Sequence, residues 1–230
     1  EPPFVHELSR RYTNHYEVHV LAPHAAGSRQ QEILGGMTVH RFRYAPTNLE
    51  KLAYGGGIPA NLRKNAFLYL LVPLFILAEL FSAIRILRHE NIALIHAHWI
   101  IPQGLVAVIA ARFARRRPAL LVTAHGADVY TRQGSLNSLL KRTILNHSDH
   151  LTVVSKDMLN TVRQAGLECP VDILPMGVDL TETFIPEPAH RKSTQLVFVG
   201  RLVEKKGVRY LLEGFSKTVS RYPHLNLVII

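Results

Sequence analysis

The chain has 230 residues, of which 47% are hydrophobic, and a formal net charge of +10 at pH 7. This composition excludes a disordered chain and supplies enough apolar residues for one or two folded domains. One cysteine, Cys169, excludes an internal disulfide framework, and because no charged and apolar leader is visible we expect a cytoplasmic protein, with peripheral attachment to a membrane as the alternative.

The excess of positive charge is concentrated near the end of the chain. Residues 188–230 hold 8 of the 27 Lys and Arg residues but only 2 of the 17 Asp and Glu residues. This balance favours an acidic small ligand or an anionic membrane surface as a partner. Nucleic acid is disfavoured, because the basic residues are not interleaved with aromatic ones and no nucleic-acid-binding motif is visible.

The first 59 residues predict one helix, two strands and a long connection. An amphipathic helix with prolines in its first turn is predicted up to Tyr12, followed by a strand over 16–22. A polar loop is predicted over 27–36 and a second strand over 37–43. Residues 44–59, with three consecutive glycines, are predicted to form a long flexible connection.

Residues 66–84 form the most apolar segment of the chain. Its uninterrupted apolar part, 66–78, is shorter than the roughly 20 residues that span a bilayer. We therefore expect a helix packed on a sheet. The alternative is a helix that lies in a membrane interface, with the basic residues on both sides of it against anionic head groups: Arg63, Lys64, Arg85 and Arg88.

From residue 91 onward, strand and helix patterns alternate regularly. Strands are predicted over 91–98, 119–125, 151–154 and 171–174, with helices over 102–113, 135–146 and 155–165. Nearly continuous apolar strands separated by helices indicate a parallel sheet covered on both faces. Right-handed crossovers make this an α/β, doubly wound, Rossmann-like domain.

A second domain is predicted to begin after an aperiodic polar stretch at 179–194. A strand over 195–199, a helix with an apolar face from Val208 to Val219, and a strand over 225–230 form one βαβ unit. We expect an N-terminal domain with its linker over 1–187 and a truncated second Rossmann-like domain over 188–230, because about 43 residues cannot form a complete α/β domain. The first strand of the N-terminal domain is expected to precede Glu1.

Polar residues and a glycine lie at or just beyond the carboxyl ends of the predicted strands. His98, His125 and Asp128 occupy such positions, as do Ser155 and Gly177. Ligands of open parallel sheets bind beyond the carboxyl ends of the strands, so these residues are predicted to border one cleft. Ser155 is predicted to cap a helix, because no nucleophile elbow surrounds it.

Two functional interpretations apply to the histidines. His96 and His98 are two residues apart on a strand, so they face the same side and, with His125 and Asp128, resemble a metal site. The metal interpretation is disfavoured because no Glu or Cys cluster completes the set. A histidine at a strand end with a carboxylate three residues on can instead hydrogen-bond sugar hydroxyls.

The stretch 197–207 has the features of a phosphate-binding loop. Gly200 permits close approach of the backbone to a ligand, and Arg201 offers a planar fork of donors. Lys206 places a positive charge beside Gly207, where the next helix begins. An ordinary solvated connection between a strand and a helix has the same appearance.

Five motifs in this order resemble those of the group 1 glycosyltransferases, which are retaining, nucleotide-sugar-dependent enzymes of the GT-B fold. The motifs are the His-Ala-His of 96–98 with Pro-Gln-Gly at 102–104, Thr-Ala-His-Gly-Ala-Asp at 123–128, Val-Val-Ser at 153–155, Pro-Met-Gly-Val-Asp at 175–179, and Val-Gly-Arg to Lys-Gly at 199–207. The resemblance extends over nearly the whole chain.

The resemblance implies roles for individual residues. Arg201 and Lys206 would bind the donor diphosphate, with Gly200 beside them, and His125 would lie close to the transferred sugar. Gly177, Asp128 and His98 would contribute to substrate binding at the cleft rim. It also implies a carbohydrate or lipid-linked acceptor, no metal and no cofactor besides the nucleotide sugar.

Two features of the resembled family are absent from these residues, namely the glycine-rich loop after the first strand and a Glu-x7-Glu segment. We therefore expect the 230 residues alone neither to transfer sugar nor to bind donor tightly. The alternatives are a nucleotide-sugar epimerase of the same fold and a non-catalytic nucleotide- or membrane-binding module. A dehydrogenase is disfavoured, because no G-x-G-x-x-G follows a strand.

Overall fold

The computed structural model describes residues 3–55, 57–130, 134–166, 168–186 and 192–230. The chain divides into two compact units, Glu1–Val178 and Asp179–Ile230. The domain limits predicted from the sequence, 187 and 188, lie outside the described residues and stay predictions.

The first sheet of the larger unit has three strands. The helix α1 (Pro3–Tyr12) is followed by β1 (His19–Pro23), β2 (Gln31–Leu34) and β3 (Met37–Phe42), in the spatial order β1-β3-β2. Strand β3 runs parallel to β1 and antiparallel to β2. The prediction of a loop over 27–36 was wrong at 31–34, where β2 forms a hairpin with β3.

The hairpin turn consists of Gly35 and Gly36, with φ of 58° and 82°. A two-residue turn with both central residues at positive φ matches the twist of the strands that it joins, and glycine adopts that conformation without strain. The turn therefore explains why a short polar stretch becomes a strand.

The long connection after β3 is held by specific contacts. The side-chain amide of Asn61, in α2 (Ile58–Lys64), donates hydrogen bonds to the carbonyls of Lys51, Leu52 and Tyr54. The Leu52 side chain is fully buried, and its backbone N–H donates to the Tyr44 hydroxyl oxygen at 3.0 Å. The prediction of a flexible connection was wrong for this part of the segment.

The apolar segment forms a turn over Ala66–Leu70 and then the helix α3 (Leu71–His89), which confirms the predicted helix. Phe75 is buried, with its ring centroid 5.0 Å from that of Phe42 and 5.1 Å from that of Tyr44. One face of α3 therefore covers the core of the first sheet, and the helix also packs against α4 (Leu105–Ala111).

The second sheet of the larger unit is entirely parallel, as predicted. It contains β4 (Leu94–His98), β5 (Ala119–Ala124), β6 (His150–Val153) and β7 (Val171–Ile173) in that spatial order. A wide turn over Ile100–Gly104 precedes α4, and the other helices are α5 (Ala127–Tyr130), α6 (Ser135–Asn146) and α7 (Lys156–Gln164). Val122, Leu151 and Val153 are fully buried in the centre of this sheet.

The smaller unit contains one βαβ element, which confirms the prediction for this region. Strand β8 (Gln195–Phe198) is parallel to β9 (Asn226–Ile229), and α8 (Val208–Val219) connects them. The connection from β8 to α8 leaves the sheet at its carboxyl end, where α/β folds place their ligands.

Candidate active site at the carboxyl edge of the second sheet

Two histidines at the ends of neighbouring strands form the centre of the candidate site. His98 is the last residue of β4, and His125 directly follows β5. Parallel pairing places His98 opposite Thr123, so both imidazoles emerge at one edge of the sheet. Nδ1 of His98 lies 3.0 Å from Nε2 of His125, which makes a hydrogen bond between the two rings.

A third histidine extends this cluster into the sheet. The ring centroid of His96 lies 4.3 Å from that of His98, as expected for two residues on one face of a strand. Nε2 of His96 is 2.7 Å from the hydroxyl of Thr123, which is itself 2.6 Å from the hydroxyl of Thr152. A continuous hydrogen-bonded chain therefore crosses β4, β5 and β6.

Burial keeps these imidazoles neutral. It lowers the pKa of His96 to about 4 and the pKa of His98 to about 3, with neighbouring imidazoles adding to the effect. Burial also lowers the pKa of His125, against an opposing effect of the Asp128 carboxylate. At neutral pH one nitrogen of the His98–His125 pair donates and the other accepts. In the described part of the chain nothing bonds Nδ1 of His125, which leaves that nitrogen available to a ligand.

Asp128 holds the loops that carry the two histidines. Its Oδ1 accepts a hydrogen bond from the backbone N–H of His125, and its Oδ2 accepts one from the backbone N–H of Ile100, both at 3.0 Å. The side chain is buried. These contacts give Asp128 a structural task, and its predicted role in substrate binding stays a prediction.

A lysine with a buried amino group lies near Asp128. The Nζ atom of Lys141, on α6, is buried and makes no hydrogen bond within the described residues. Burial lowers the pKa of Lys141, and the nearby Asp128 carboxylate opposes that shift. The Asp128 carboxylate therefore has backbone donors on one side and a basic side chain nearby.

Trp99 belongs to the site but was not among the residues predicted from the sequence. Its ring centroid lies 4.8 Å from that of His125 and 6.3 Å from that of His98. Its φ of 76° is the only positive value among the non-glycine residues of the described chain. Such strain is characteristic of functional sites, and the sequence signal was an aromatic residue directly after a strand-end histidine.

The phosphate-binding loop predicted in the smaller unit has a defined backbone. The N–H of Gly200 donates to the carbonyl of Ile230 at 2.9 Å, and a short helical turn over Glu204–Lys206 leads to Gly207, with φ of 68°. The side chains of Arg201 and Lys206 are exposed at this loop. Arg201 makes no ion pair with any residue that the structure describes, so its guanidinium is free to bind an anion.

The structure brings together some of the predicted residues. His98, His125 and Asp128 meet at one edge of the larger unit, whereas Gly200, Arg201 and Lys206 share one loop of the smaller unit. Gly177 is exposed, four residues beyond β7. Ser155 caps α7 as predicted, because its hydroxyl accepts a hydrogen bond from the N–H of Met158 at 3.2 Å.

The metal-site interpretation gains no support from the side chains. Across the described ranges no group of three or more His, Cys, Asp or Glu residues is arranged to hold a metal ion. Both carboxylate oxygens of Asp128 accept hydrogen bonds from backbone N–H groups, so this carboxylate is not oriented to share a metal ion with the histidines.

Comparison with known proteins places this arrangement in a family. Glycosyltransferase Family 4 matches residues 3–182. Among curated proteins, the chain is 30% identical over 79 residues to N-acetyl-alpha-D-glucosaminyl L-malate synthase of Bacillus anthracis. It is 37% identical over 86 residues to one subunit of the phosphatidylinositol N-acetylglucosaminyltransferase of Homo sapiens. These stretches cover 34% and 36% of the chain, but only 20% and 17% of the two relatives.

Two solved structures have the same fold. Sucrose-phosphate synthase of Thermosynechococcus elongatus superposes with a TM-score of 0.66 at 17% identity, over 99% of the chain and 55% of that protein. Anabaena HepE, in complex with UDP and glucose, superposes with a TM-score of 0.64 at 17% identity, over 99% of the chain and 56% of that protein. The chain thus spans about half the length of these proteins.

The Asp128→Asn variant is expected to lower the free energy of unfolding by about 1–3 kcal/mol, because a side-chain amide has one acceptor oxygen where the carboxylate uses two. Urea denaturation followed by circular dichroism measures the change. Asp172→Asn is the matched control, because the Asp172 side chain is exposed and, among the residues that the structure describes, hydrogen-bonds only the side chain of His150. Equal stability of the two variants would contradict the anchoring role of Asp128.

The stability of the protein is expected to fall as the pH is lowered from about 6.5 to 4. The pKa values of His96 and His98 are depressed in the folded state, so the unfolded chain binds more protons in this window. A loss of roughly 5 kcal/mol is expected from the two histidines together, and urea titrations at several pH values measure it. His98→Gln should make this slope shallower, whereas His147→Gln, on the exposed end of α6, should leave it unchanged.

Proposed function

Because the chain belongs to glycosyltransferase family 4, we propose that it takes part in transferring a sugar from a nucleoside-diphosphate sugar to an acceptor hydroxyl, with retention of anomeric configuration and without a metal. The observation that carries the proposal is the His98–His125 pair, held by Asp128 at the carboxyl edge of a parallel sheet. Transfer belongs to the complete protein, since this chain covers part of its relatives.

His125 is proposed to contact the transferred sugar. Its Nδ1 is free of bonds to described residues, while His98 fixes its ring through Nε2. A neutral imidazole can donate to or accept from a sugar hydroxyl, and its preset orientation avoids an entropic cost when the transition state forms. Trp99, beside the same ring, adds an apolar surface of the kind that packs on the face of a sugar.

Arg201 and Lys206 are proposed to bind the donor diphosphate. Negative charge grows on the nucleoside diphosphate as its bond to the sugar breaks, so fixed cations stabilise the transition state more than the ground state. The guanidinium of Arg201 is exposed and has no ion pair with the residues that the structure describes, which supports this role, as does the glycine-lined backbone from Gly200 to Gly207. Two cations at this position would replace the charge that a metal ion supplies elsewhere.

The acceptor hydroxyl is proposed to attack from the side of the leaving group, which gives retention. The departing diphosphate then serves as the base that receives the acceptor proton. The histidines support this assignment of the proton, because burial lowers the pKa values of His98 and His125 and so makes each ring a weaker base than a free imidazole.

The donor is proposed to carry a hexosyl group. The names of both curated relatives refer to N-acetylglucosaminyl compounds, and the HepE structure holds UDP and glucose. UDP-N-acetylglucosamine and UDP-glucose are therefore the first donors to test, with a carbohydrate or a lipid-linked acceptor.

The competing proposal is an epimerase that acts on a nucleotide sugar with no acceptor. The full-length protein should be incubated with each donor, with and without acceptors, and the products identified by mass spectrometry and NMR. Transfer predicts a glycosylated acceptor with the anomeric configuration of the donor. A new sugar nucleotide formed from donor alone would show an epimerase, and an inverted product would exclude retention.

In the full-length protein, Arg201→Ala is expected to lower kcat/KM about a hundredfold, because removal of one preorganised contact to developing charge costs about 3 kcal/mol. Steady-state turnover at fixed ionic strength measures the effect. Arg209→Ala is the matched control, because Arg209 is exposed on α8 and pairs with Glu213 at 2.8 Å. An unchanged kcat/KM in Arg201→Ala would refute the assignment of the diphosphate.

A further inference from the structure

The helix α3 and the turn before it expose a continuous apolar stripe. The outer face, as we call this stripe, contains residues spaced alternately by three and four positions, which places them on one side of a helix. Their exposed fractions range from 48% to 81%, and the members are Phe67, Leu70, Leu74, Leu77 and Phe81. A contiguous stripe of large exposed side chains marks an interaction surface.

The opposite face of the same helix is covered by protein. Phe75, Glu79 and Leu87 are buried there, and burial raises the pKa of Glu79 to about 7. Only 11% of the most apolar window in Ala66–His89 is buried, although length and composition would allow this segment to cross a membrane. The segment is therefore not a helix buried in the core, and it is not a helix that exposes apolar side chains on every face.

The connections of α3 exclude a spanning orientation. A spanning helix would put the first sheet and the second sheet on opposite sides of the bilayer. However, α1 contacts both sheets: the Arg10 side chain lies against Gly35, and the Tyr12 ring centroid is 6.1 Å from that of His96. Helix α3 can therefore contact lipid only along the outer face, with its axis in the plane of the membrane.

Positive charge borders the outer face at both ends. Arg63 and Lys64 are exposed just before the outer face begins. Arg85 and Arg88 are exposed on the same side of α3, beyond Phe81. The only acidic residue within 66–89 is Glu79, on the buried face. Arg115 and Arg116 line a depression of about 280 Å³ at the end of α3, together with His89 and Glu90.

We propose that the outer face docks on the surface of a bilayer that contains anionic lipids, with its leucines and phenylalanines among the acyl chains and the flanking arginines at the phosphates. Apolar burial and attraction to anionic head groups act together in this mode of binding. Charge complementarity selects this partner, because a purely apolar partner protein would leave the basic borders without counter-charges. The proposal does not depend on the glycosyl transfer proposed above.

The test is sedimentation of the full-length protein with phosphatidylcholine vesicles containing about one third phosphatidylglycerol, beside vesicles of phosphatidylcholine alone. The expected result is strong binding to the anionic vesicles that weakens with salt, and little binding to the neutral ones. Leu74→Gln with Leu77→Gln should lower the partition coefficient at least about tenfold, because both side chains leave the acyl region. Arg85→Gln with Arg88→Gln should lower it about thirtyfold.

Matched variants on other helices separate this face from general surface effects. Leu139→Gln removes a leucine that is 63% exposed on α6, and Arg142→Gln with Arg163→Gln removes two exposed cations on α6 and α7. These controls should keep nearly all of the binding. Circular dichroism confirms that each variant is folded, and turnover with soluble substrates tests the proposed function separately.

Three outcomes would overturn the proposal. One is the absence of binding to anionic vesicles at low salt, and another is equal loss of binding in the outer-face variants and the controls. The third is lipid-free dimerisation that Leu74→Gln with Leu77→Gln abolishes, because a second copy of the chain would then cover the outer face. Analytical ultracentrifugation over a range of protein concentrations detects this last case.

Discussion

The candidate site depends on the carboxylate of Asp128. Two strands that leave a parallel sheet side by side need something to fix the loops after them, and here one buried side chain accepts a backbone N–H from each loop. The contact after β4 positions Trp99 and His98, and the contact after β5 positions His125. Because the acceptor is a carboxylate, each bond is stronger than one between neutral groups, and the two together resist relative movement of the loops.

The regular alternation of strand and helix made the second sheet predictable. Its central strands, β5 and β6, are largely buried, so their apolar runs appear directly in the sequence. The residues after the strands can be assigned to one edge without knowledge of the packing. That reasoning predicted that His98, His125 and Asp128 lie together at one edge of the sheet, as the structure shows. It did not reveal that the Asp128 carboxylate faces backbone donors, because a sequence pattern gives the position of a side chain and not its partners.

Other features could not be predicted because they depend on distant contacts. Strand β2 is half polar and four residues long, and it exists because a pair of glycines returns it to β3. The anchoring of residues 51–54 requires Asn61, which approaches them only after the chain has folded. Trp99 adopts its strained backbone conformation under the constraint of the surrounding loops, and an isolated segment carries no signal of that strain.

The hydroxyl of Thr123 has one hydrogen, which it can donate either to Nε2 of His96 or to the hydroxyl of Thr152. Either Thr152 donates to Thr123, which donates to Nε2 of His96, or every bond in the row reverses and Nε2 carries the proton. No intermediate arrangement satisfies all three groups. The tautomer of His96 therefore depends on the orientation of the Thr152 hydroxyl, two strands away. The interior of the sheet has two alternative hydrogen-bond arrangements, and both bonds reverse direction together when one is exchanged for the other.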